Sequence, residues 1–241
     1  MLENFKFVLS HTTHPGNIGA SARALKVMGL SQLALVNPSN FPSAQATERA
    51  SRADDILASA QVFVTVEEAV ADCRLVVGTS ARTRTLPSQL VTPRELVELI
   101  LQQPARVPVA ILFGTENSGL TNDELHMCNY HVCIPTNPEY SSLNLASAVQ
   151  LIAYELRLGF AQTPELPEQR ILDNEQPISR EQLSGLLEHF DEAMRKTGYL
   201  KQNHEKQIDI RMNRLFSKAN LTHSEMNILR GFLRSVLYRC Q

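Results

Sequence analysis

The amino-acid sequence predicts an α/β protein: a parallel sheet covered by helices on both faces, followed by a small helical C-terminal domain. Three observations predict it. Short β-branched or apolar runs alternate with helix-periodic stretches over the first 160 residues, the pattern of strands buried on both faces. A polar stretch with prolines at 164, 167 and 177 then breaks the alternation, as a linker does. Beyond it only helical periodicity remains. The boundaries read as 1–162 for the α/β domain, 163–178 for the linker and 179–241 for the helical extension.

Taken in order, Phe5-Lys-Phe-Val-Leu9 reads as a first strand and Ile18 to Met28 as a helix ended near Gly29. Leu33-Ala-Leu-Val-Asn37 is a second strand, closed by Pro38. Leu75-Val-Val-Gly78, Val109-Ala-Ile-Leu-Phe113 and His131-Val-Cys-Ile134 are further short buried strands. Helices are predicted over Thr92 to Gln102, Thr121 to Met127 and Leu143 to Phe160. The second of these carries a capping box, Thr121 with Glu124 three residues on. In the extension, helical periodicity covers Ser179 to Thr197, Gln207 to Lys218 and Ser224 to Arg239. The last holds an amphipathic stripe of Ile228, Leu229, Phe232, Leu233 and Val236.

Composition bounds the function. Of 241 residues 43% are hydrophobic and 20% charged, ordinary for a globular protein. No run of about 18 apolar residues offers a membrane span, and Met1 to Ser10 reads as a strand rather than a signal peptide, so a cytoplasmic, non-membrane protein is expected. Cys73, Cys128, Cys133 and Cys240 form no CxxC pair and are expected as free thiols. His126 and His131 lie near two of them, but the spacing matches no zinc pattern, and no metal is expected. The net charge of −2 hides an asymmetry: Arg195 to Gln241 carries ten Lys/Arg against three Asp/Glu, +7, and the rest of the chain −9. Such a tail suits polyanion phosphates or a solvated helix face, and charge alone does not separate the two.

Three loops follow predicted strands and precede predicted helices, where open α/β sheets bind ligands. The first, His14-Pro-Gly-Asn17-Ile-Gly19-Ala-Ser-Ala-Arg23, lacks the GxGxxG dinucleotide spacing; Arg23 in the helix's first turns could meet an RNA phosphate or simply be solvated. The second, Leu112-Phe113-Gly114-Thr-Glu116-Asn117-Ser-Gly119-Leu120, puts a glycine directly after a strand and Glu116 in the crevice mouth; a turn with a capping acid is the alternative. The third runs from Ile134 to Ala146 through Asn137-Pro-Glu-Tyr-Ser141-Ser142-Leu143-Asn144. Here Asn144 falls in the first turn of a helix, an odd place for a polar residue without a partner.

Together, N-x-G-x-x-A-R at 17–23, L-F-G-x-E-x-x-G-L at 112–120 and S-L-N-L-A at 142–146 resemble the three ordered motifs of the SPOUT superfamily, in its SpoU (TrmH-like) 2′-O-methyltransferase branch. The Asn-Pro-Glu-Tyr-Ser-Ser-Leu-Asn-Leu-Ala run and the Thr79-Ser-Ala-Arg-Thr-Arg84 loop are similar to the TrmJ group, which methylates the pyrimidine ribose at anticodon-loop position 32 of transfer RNA. Many SpoU relatives carry a glycine in the third loop. This chain has none from Thr136 to Ser141, a departure that favours the TrmJ group over ribosomal-RNA enzymes.

The resemblance implies a sheet whose C-terminal part threads a trefoil knot, an S-adenosylmethionine cofactor held there largely by main-chain groups, and a homodimer acting on tRNA, not DNA. By matching position, the cofactor contacts fall to Thr79, Ser80, Ala81, Gly114, Ile134, Ser141, Ser142 and Leu143, and the functional polar residues are Arg23, Glu116, Ser142 and Asn144. Arg23 is expected as phosphate clamp and stabiliser of a developing alkoxide, Ser142 and Asn144 as positioning groups, and Glu116 as the residue that fixes Arg23 or Asn117. RNA contacts are expected from Arg23, Arg82, Arg84, Arg195, Lys196, Lys201, Lys206, Arg211, Arg214 and Lys218. The competing readings are a ribosomal-RNA 2′-O-methyltransferase, a non-catalytic RNA-binding protein on the same scaffold, and another α/β nucleotide-binding protein; the last is disfavoured by the missing phosphate loop.

Overall fold

The computed structural model describes residues 2–80, 90–103, 107–161, 175–200 and 205–240, with residues 205 and 206 as backbone only. Two compact units divide the chain, Met1–Gln169 and Arg170–Gln241.

In the first unit the strands are β1 (Phe5–Ser10), β2 (Gln32–Val36), β3 (Gln61–Phe63), β4 (Leu75–Thr79), β5 (Leu90–Val91), β6 (Val109–Phe113) and β7 (Tyr130–Val132). The helices are α1 (Pro15–Met28), α2 (Ala44–Ala50), α3 (Asp54–Ser59), α4 (Val66–Val70), α5 (Pro93–Leu101), α6 (Asn122–His126) and α7 (Leu145–Ala161). Every strand pairing is parallel, in the order β3-β2-β1-β6-β4-β7-β5.

The central strands are predominantly apolar because both their faces are covered. All six residues of β1 and all five of β6 are buried. Their side chains alternate between two cores, as the strand period of two requires. Phe5, Phe7 and Leu9 join Ile111 and Phe113 under α1, α5 and α7, where Phe7 stacks on Phe113 at 5.8 Å and Phe5 meets Phe160 edge-on at 5.2 Å. Val8, Ala34, Val76, Ala110 and Leu112 face α4 and α6. Lys6 also points to that second face, and its buried ammonium is compensated by Asp72 at 2.6 Å and the Ala69 carbonyl at 3.2 Å.

The termini of α1 follow from local chemistry. Pro15 stands in the first turn, where its missing N–H costs nothing. Gly29 ends the helix at φ 73°, donating to the Lys26 carbonyl while Leu30 donates to Leu25. The helix thus begins three residues before the predicted start. Asn144 is corrected likewise: it precedes α7 as its cap rather than sitting in the first turn, its Oδ1 accepting from Ala146 and Ser147 N–H. The short elements α2, α3, β3, α4 and β5 were not anticipated.

The second unit holds α8 (Arg180–Lys196), α9 (Glu205–Ala219) and α10 (His223–Arg239), packed around Ile178, Leu183, Leu186, Met226 and Leu233. Capping boxes at Ser179/Gln182 and Thr222/Glu225 set the starts of α8 and α10. The four cysteines are free, with Cys73 and Cys128 buried; burial pushes the Cys73 thiol up to about 12, which keeps it inert. Among the described residues no helix is long and apolar enough to cross a membrane.

Candidate functional site

The chain leaves β1 toward β2 and β3 on one side of the sheet, and β6 toward β4, β7 and β5 on the other. The loops at the carboxyl ends of these adjacent strands therefore diverge and open a crevice, the usual ligand position in a parallel α/β sheet. A cavity of about 440 Å³ lies on the β6 side of that crevice, at the carboxyl ends of β4, β6 and β7, and is of the size that holds a small organic ligand. Three segments line it: Thr79 and Ser80 after β4, residues 113–120 after β6, and the stretch from Ile134 to Leu145 after β7. Thr79 Oγ1 donates to the Leu112 carbonyl at 2.9 Å and Ser80 N–H to that of Val132 at 2.9 Å, so the ends of three strands are laced together below the cavity.

Glycine is required in the second segment for space. A methyl group on Gly114 would stand 2.0 Å from the carbonyl carbon of Gly119, because Thr115 and Gly119 pair across a tight turn closed by Gly119 N–H to Thr115 carbonyl at 2.9 Å. Gly119 adopts φ 69°, which favours glycine.

Glu116 is the centre of the polar network. Its Oε2 accepts from Thr13 N–H at 3.2 Å and Thr13 Oγ1 at 2.9 Å, and its Oε1 from His14 N–H at 3.3 Å and Asn17 Nδ2 at 2.8 Å. Burial alone would raise this carboxyl. Hydrogen bonds from the Asn17 amide, its own backbone and Thr13 outweigh that and hold it below its ordinary value. Asn17 in turn accepts from Asn144 Nδ2 at 3.0 Å. One carboxylate thus ties the loop after β1, the loop after β6 and the cap of α7 into a single relay.

This corrects the role expected of Glu116: its partners are Thr13, His14 and Asn17, not Arg23 or Asn117. Thr79, Ser80, Gly114, Glu116, Ile134, Ser141, Ser142 and Leu143 all line the cavity. Arg23 and Asn144 do not line it. Asn144 is linked to it through Asn17 and Glu116, and Arg23 stands exposed in the third turn of α1. Ala81, Arg82, Arg84 and Lys201, with the side chain of Lys206, lie outside the described residues. Sequence reasoning missed Thr13, His14 and Asn17 as partners of Glu116; the acid's position before α1 in space has no counterpart in chain spacing.

His131, between Cys128 and Cys133 in the chain, donates from Nε2 to the Leu125 carbonyl at 2.9 Å, and burial keeps its ring below the usual histidine range. Among the described residues no group of three or more His, Cys, Asp or Glu could hold a metal.

The cavity's chemistry is selective. Its floor is apolar, from Leu120, Leu125, Val132 and Leu145; its rim carries hydroxyls and backbone groups; and among the described lining residues Glu116 is the one formal charge. The described lining offers no cation to a cofactor phosphate but suits an adenosine bearing a sulfonium and an ammonium, so these residues fit S-adenosylmethionine.

Fold and crevice together define an α/β methyltransferase scaffold with its donor pocket at the carboxyl ends of a parallel sheet. The chain belongs to the SpoU rRNA methylase family, whose model matches residues 4–154, and its residues 181–241 match the model of the C-terminal domain of tRNA methyltransferase TrmJ. It is 46% identical over 237 residues to the tRNA (cytidine/uridine-2′-O-)-methyltransferase TrmJ of Klebsiella pneumoniae, covering 98% of this chain and 97% of the relative. To that of Salmonella typhimurium it is 46% identical over 239 residues, covering 98% and 97%. The crystal structure of TrmJ from Z. mobilis ZM4 superposes with a TM-score of 0.83 at 35% identity, covering 96% of this chain and 98% of that one. The SpoU methyltransferase AviRb of Streptomyces viridochromogenes shares the fold, at a TM-score of 0.51 and 22% identity over 65% of this chain and 60% of its own.

Proposed function

We propose that the protein transfers the methyl group of S-adenosylmethionine to the 2′-hydroxyl of a cytidine or uridine ribose in tRNA, at anticodon-loop position 32. The observation that carries this reading is the cavity itself: the segments after β4, β6 and β7, two of them bearing family motifs, meet at a pocket whose described lining offers one carboxylate and no cation. The full-length likeness to tRNA (cytidine/uridine-2′-O-)-methyltransferases directs it to tRNA rather than ribosomal RNA. The cytoplasm is the compartment the reading requires.

The cofactor, when bound, supplies an already activated methyl group. The residues then have to hold the ribose oxygen in line and help it shed its proton. Thr79, Ser80, Gly114, Ser141, Ser142 and Leu143, all on the cavity lining, are the residues that would hold the cofactor. A guanidinium keeps its proton and is a poor base; the task of Arg23 is to stabilise the developing alkoxide and hold a phosphate.

Arg23 does not reach the cavity of its own copy, which favours a homodimer in which a second copy supplies it. α1 and α7 run side by side, joined by Asn17–Asn144 at one end and with Arg157 against Gly29 at the other. Their outer faces expose Val27 (65%), Leu151 (40%) and Tyr154 (46%) beside Arg23, an apolar patch of the kind interfaces cover. The insertion of β7 between β4 and β5, already consecutive in the chain, supports the knotted threading of the family.

The test is incubation with labelled S-adenosylmethionine and unmodified tRNA, followed by nucleoside mapping. The expected product is a 2′-O-methylated pyrimidine at position 32. Methylation confined to ribosomal RNA, or none of either substrate, overturns the reading.

A further inference from the structure

We propose that His14 and Arg49 form a binding site for one backbone phosphate of the RNA at the mouth of the crevice. The proposal rests on the reading of this protein as an RNA methyltransferase and adds a site on the first unit, apart from the basic helices of the second.

The geometry starts at Gly16. His14 Nδ1 accepts the Gly16 N–H at 3.1 Å, so the proton of the neutral imidazole resides on Nε2, a hydrogen-bond donor. The residue is exposed, and its own N–H is anchored to Glu116 Oε1 at 3.3 Å. His14 is therefore fixed to the wall of the donor cavity while one donor is left to the outside. A methyl group on Gly16 would stand 2.9 Å from His14 Cε1 and 3.6 Å from Arg49 Cγ. The imidazole and the arginine stem thus close over the same glycine, one from the loop after β1 and the other from α2.

Arg49 is delivered there by a rigid contact. At Gly19 a methyl group would meet the Ala46 carbonyl oxygen at 2.0 Å, so α2 lies against α1 at backbone distance. Ala46 and Ala50 are both buried in that seam, and Arg49 projects from its exposed side. Among the described residues Arg49 makes no ion pair or hydrogen bond. A planar guanidinium fork and an Nε2–H are thus carried by two side chains that meet over the same glycine. The nearby carboxylate, Glu116, has both oxygens engaged by Thr13, His14 and Asn17. Two donors and an unpaired positive charge suit a phosphate oxygen. Arg23 lies seven residues beyond Gly16, two turns and about 10 Å along the same side of α1, so the track continues toward it.

The experiment uses the full-length protein, labelled S-adenosylmethionine and unmodified tRNA, with KM for tRNA, kcat, cofactor Kd and the salt dependence of tRNA binding as readouts. The variants are Arg49→Gln and His14→Asn; the asparagine oxygen still accepts the Gly16 N–H and keeps the helix start, but the Nε2 donor is gone. Each is expected to raise KM for tRNA about tenfold, more than it lowers kcat, with cofactor Kd unchanged. For Arg49→Gln the slope of log K against log salt should fall by about 0.7–0.9, one phosphate contact, and Arg49→Lys should restore most of it. Wild-type values of KM and slope in both variants overturn the site, as does a loss confined to cofactor binding. A wild-type protein that methylates no tRNA would instead sink the functional reading.

Discussion

Glu116 accepts four hydrogen bonds and donates none, and this sets what a substitution there does. In Glu116→Gln one oxygen becomes an amide nitrogen, a donor facing either Thr13 or the His14–Asn17 pair, both of which also donate. The cost should be about 1 kcal/mol, that of a partly exposed donor left without an acceptor, with methyl transfer reduced more than stability. The pH dependence follows from the lowered carboxyl. A carboxylate with a depressed folded value stabilises the fold fully above its unfolded value, about 4.3, and that contribution is lost as pH falls through the folded value. Thermal melts between pH 7 and pH 3 should therefore show Glu116→Gln flattening the acid limb of the wild-type profile. A parallel acid limb in the variant would contradict the network. Asn144 separates two roles in the same way. Asn144→Asp keeps an oxygen for the Ala146 and Ser147 N–H groups but has no donor for Asn17. Stability within about 0.5 kcal/mol of wild type and a methyl-transfer rate down tenfold or more are expected, whereas Asn144→Ala should also lose about 1 kcal/mol of capping.

Elements differ in how plainly the sequence announces them. Strands β1, β2, β4 and β6 were legible because burial on both faces leaves largely apolar runs, α6 because a capping box marks its start, and α5, α8 and α10 because they are long enough for helical periodicity to show. The missed elements, α2, α3, β3, α4 and β5, span two to seven residues, too short for a period to show. The core of α2 is two alanines, Ala46 and Ala50, whose role comes from the closeness of Gly19 and not from hydrophobicity. The site divides similarly. The cavity lining was legible from motif residues that fall just after strands, while the partners of Glu116 were hidden because they lie about 100 residues away and two of the four donors are backbone N–H groups. The exposed stripe of α7, Ser147, Leu151 and Tyr154 at helical spacing, carries its own prediction. Leu151→Glu places a charge in the centre of the proposed dimer face. It is expected to shift the protein from dimer to monomer in sedimentation at micromolar concentration and to cut methyl transfer at least tenfold, since Arg23 would no longer reach a neighbouring crevice. A fully dimeric Leu151→Glu protein would show that this face is not the interface.

Across the whole molecule, the charge asymmetry of the sequence resolves into two kinds of cation. Arg195 and Lys196, both expected as RNA contacts, hold the ends of pairs within α8: Arg195 with Asp191 at 2.7 Å and Lys196 with Glu192 at 3.6 Å, each one turn back. Exposed pairs of this kind contribute little to stability, about 0.3–0.5 kcal/mol, but they offset the charge offered to a phosphate. Arg211, Arg214 and Lys218 differ. They recur at i, i+3 and i+7 on α9, are exposed, and have no ion pair among the described residues. Their charge is free for counterion exchange with RNA, which leaves a measurable trace. Replacing all three by alanine should weaken tRNA binding, lower the slope of log K against log salt by about 2–3, and leave cofactor affinity unchanged. Replacing Arg195 and Lys196 should lower the slope by less than the roughly 1.5 expected of two full contacts, because each must first release its acid. If the two sets of variants change the slope equally per residue, the pairing within α8 has no bearing on RNA binding and the tail acts through its net charge alone.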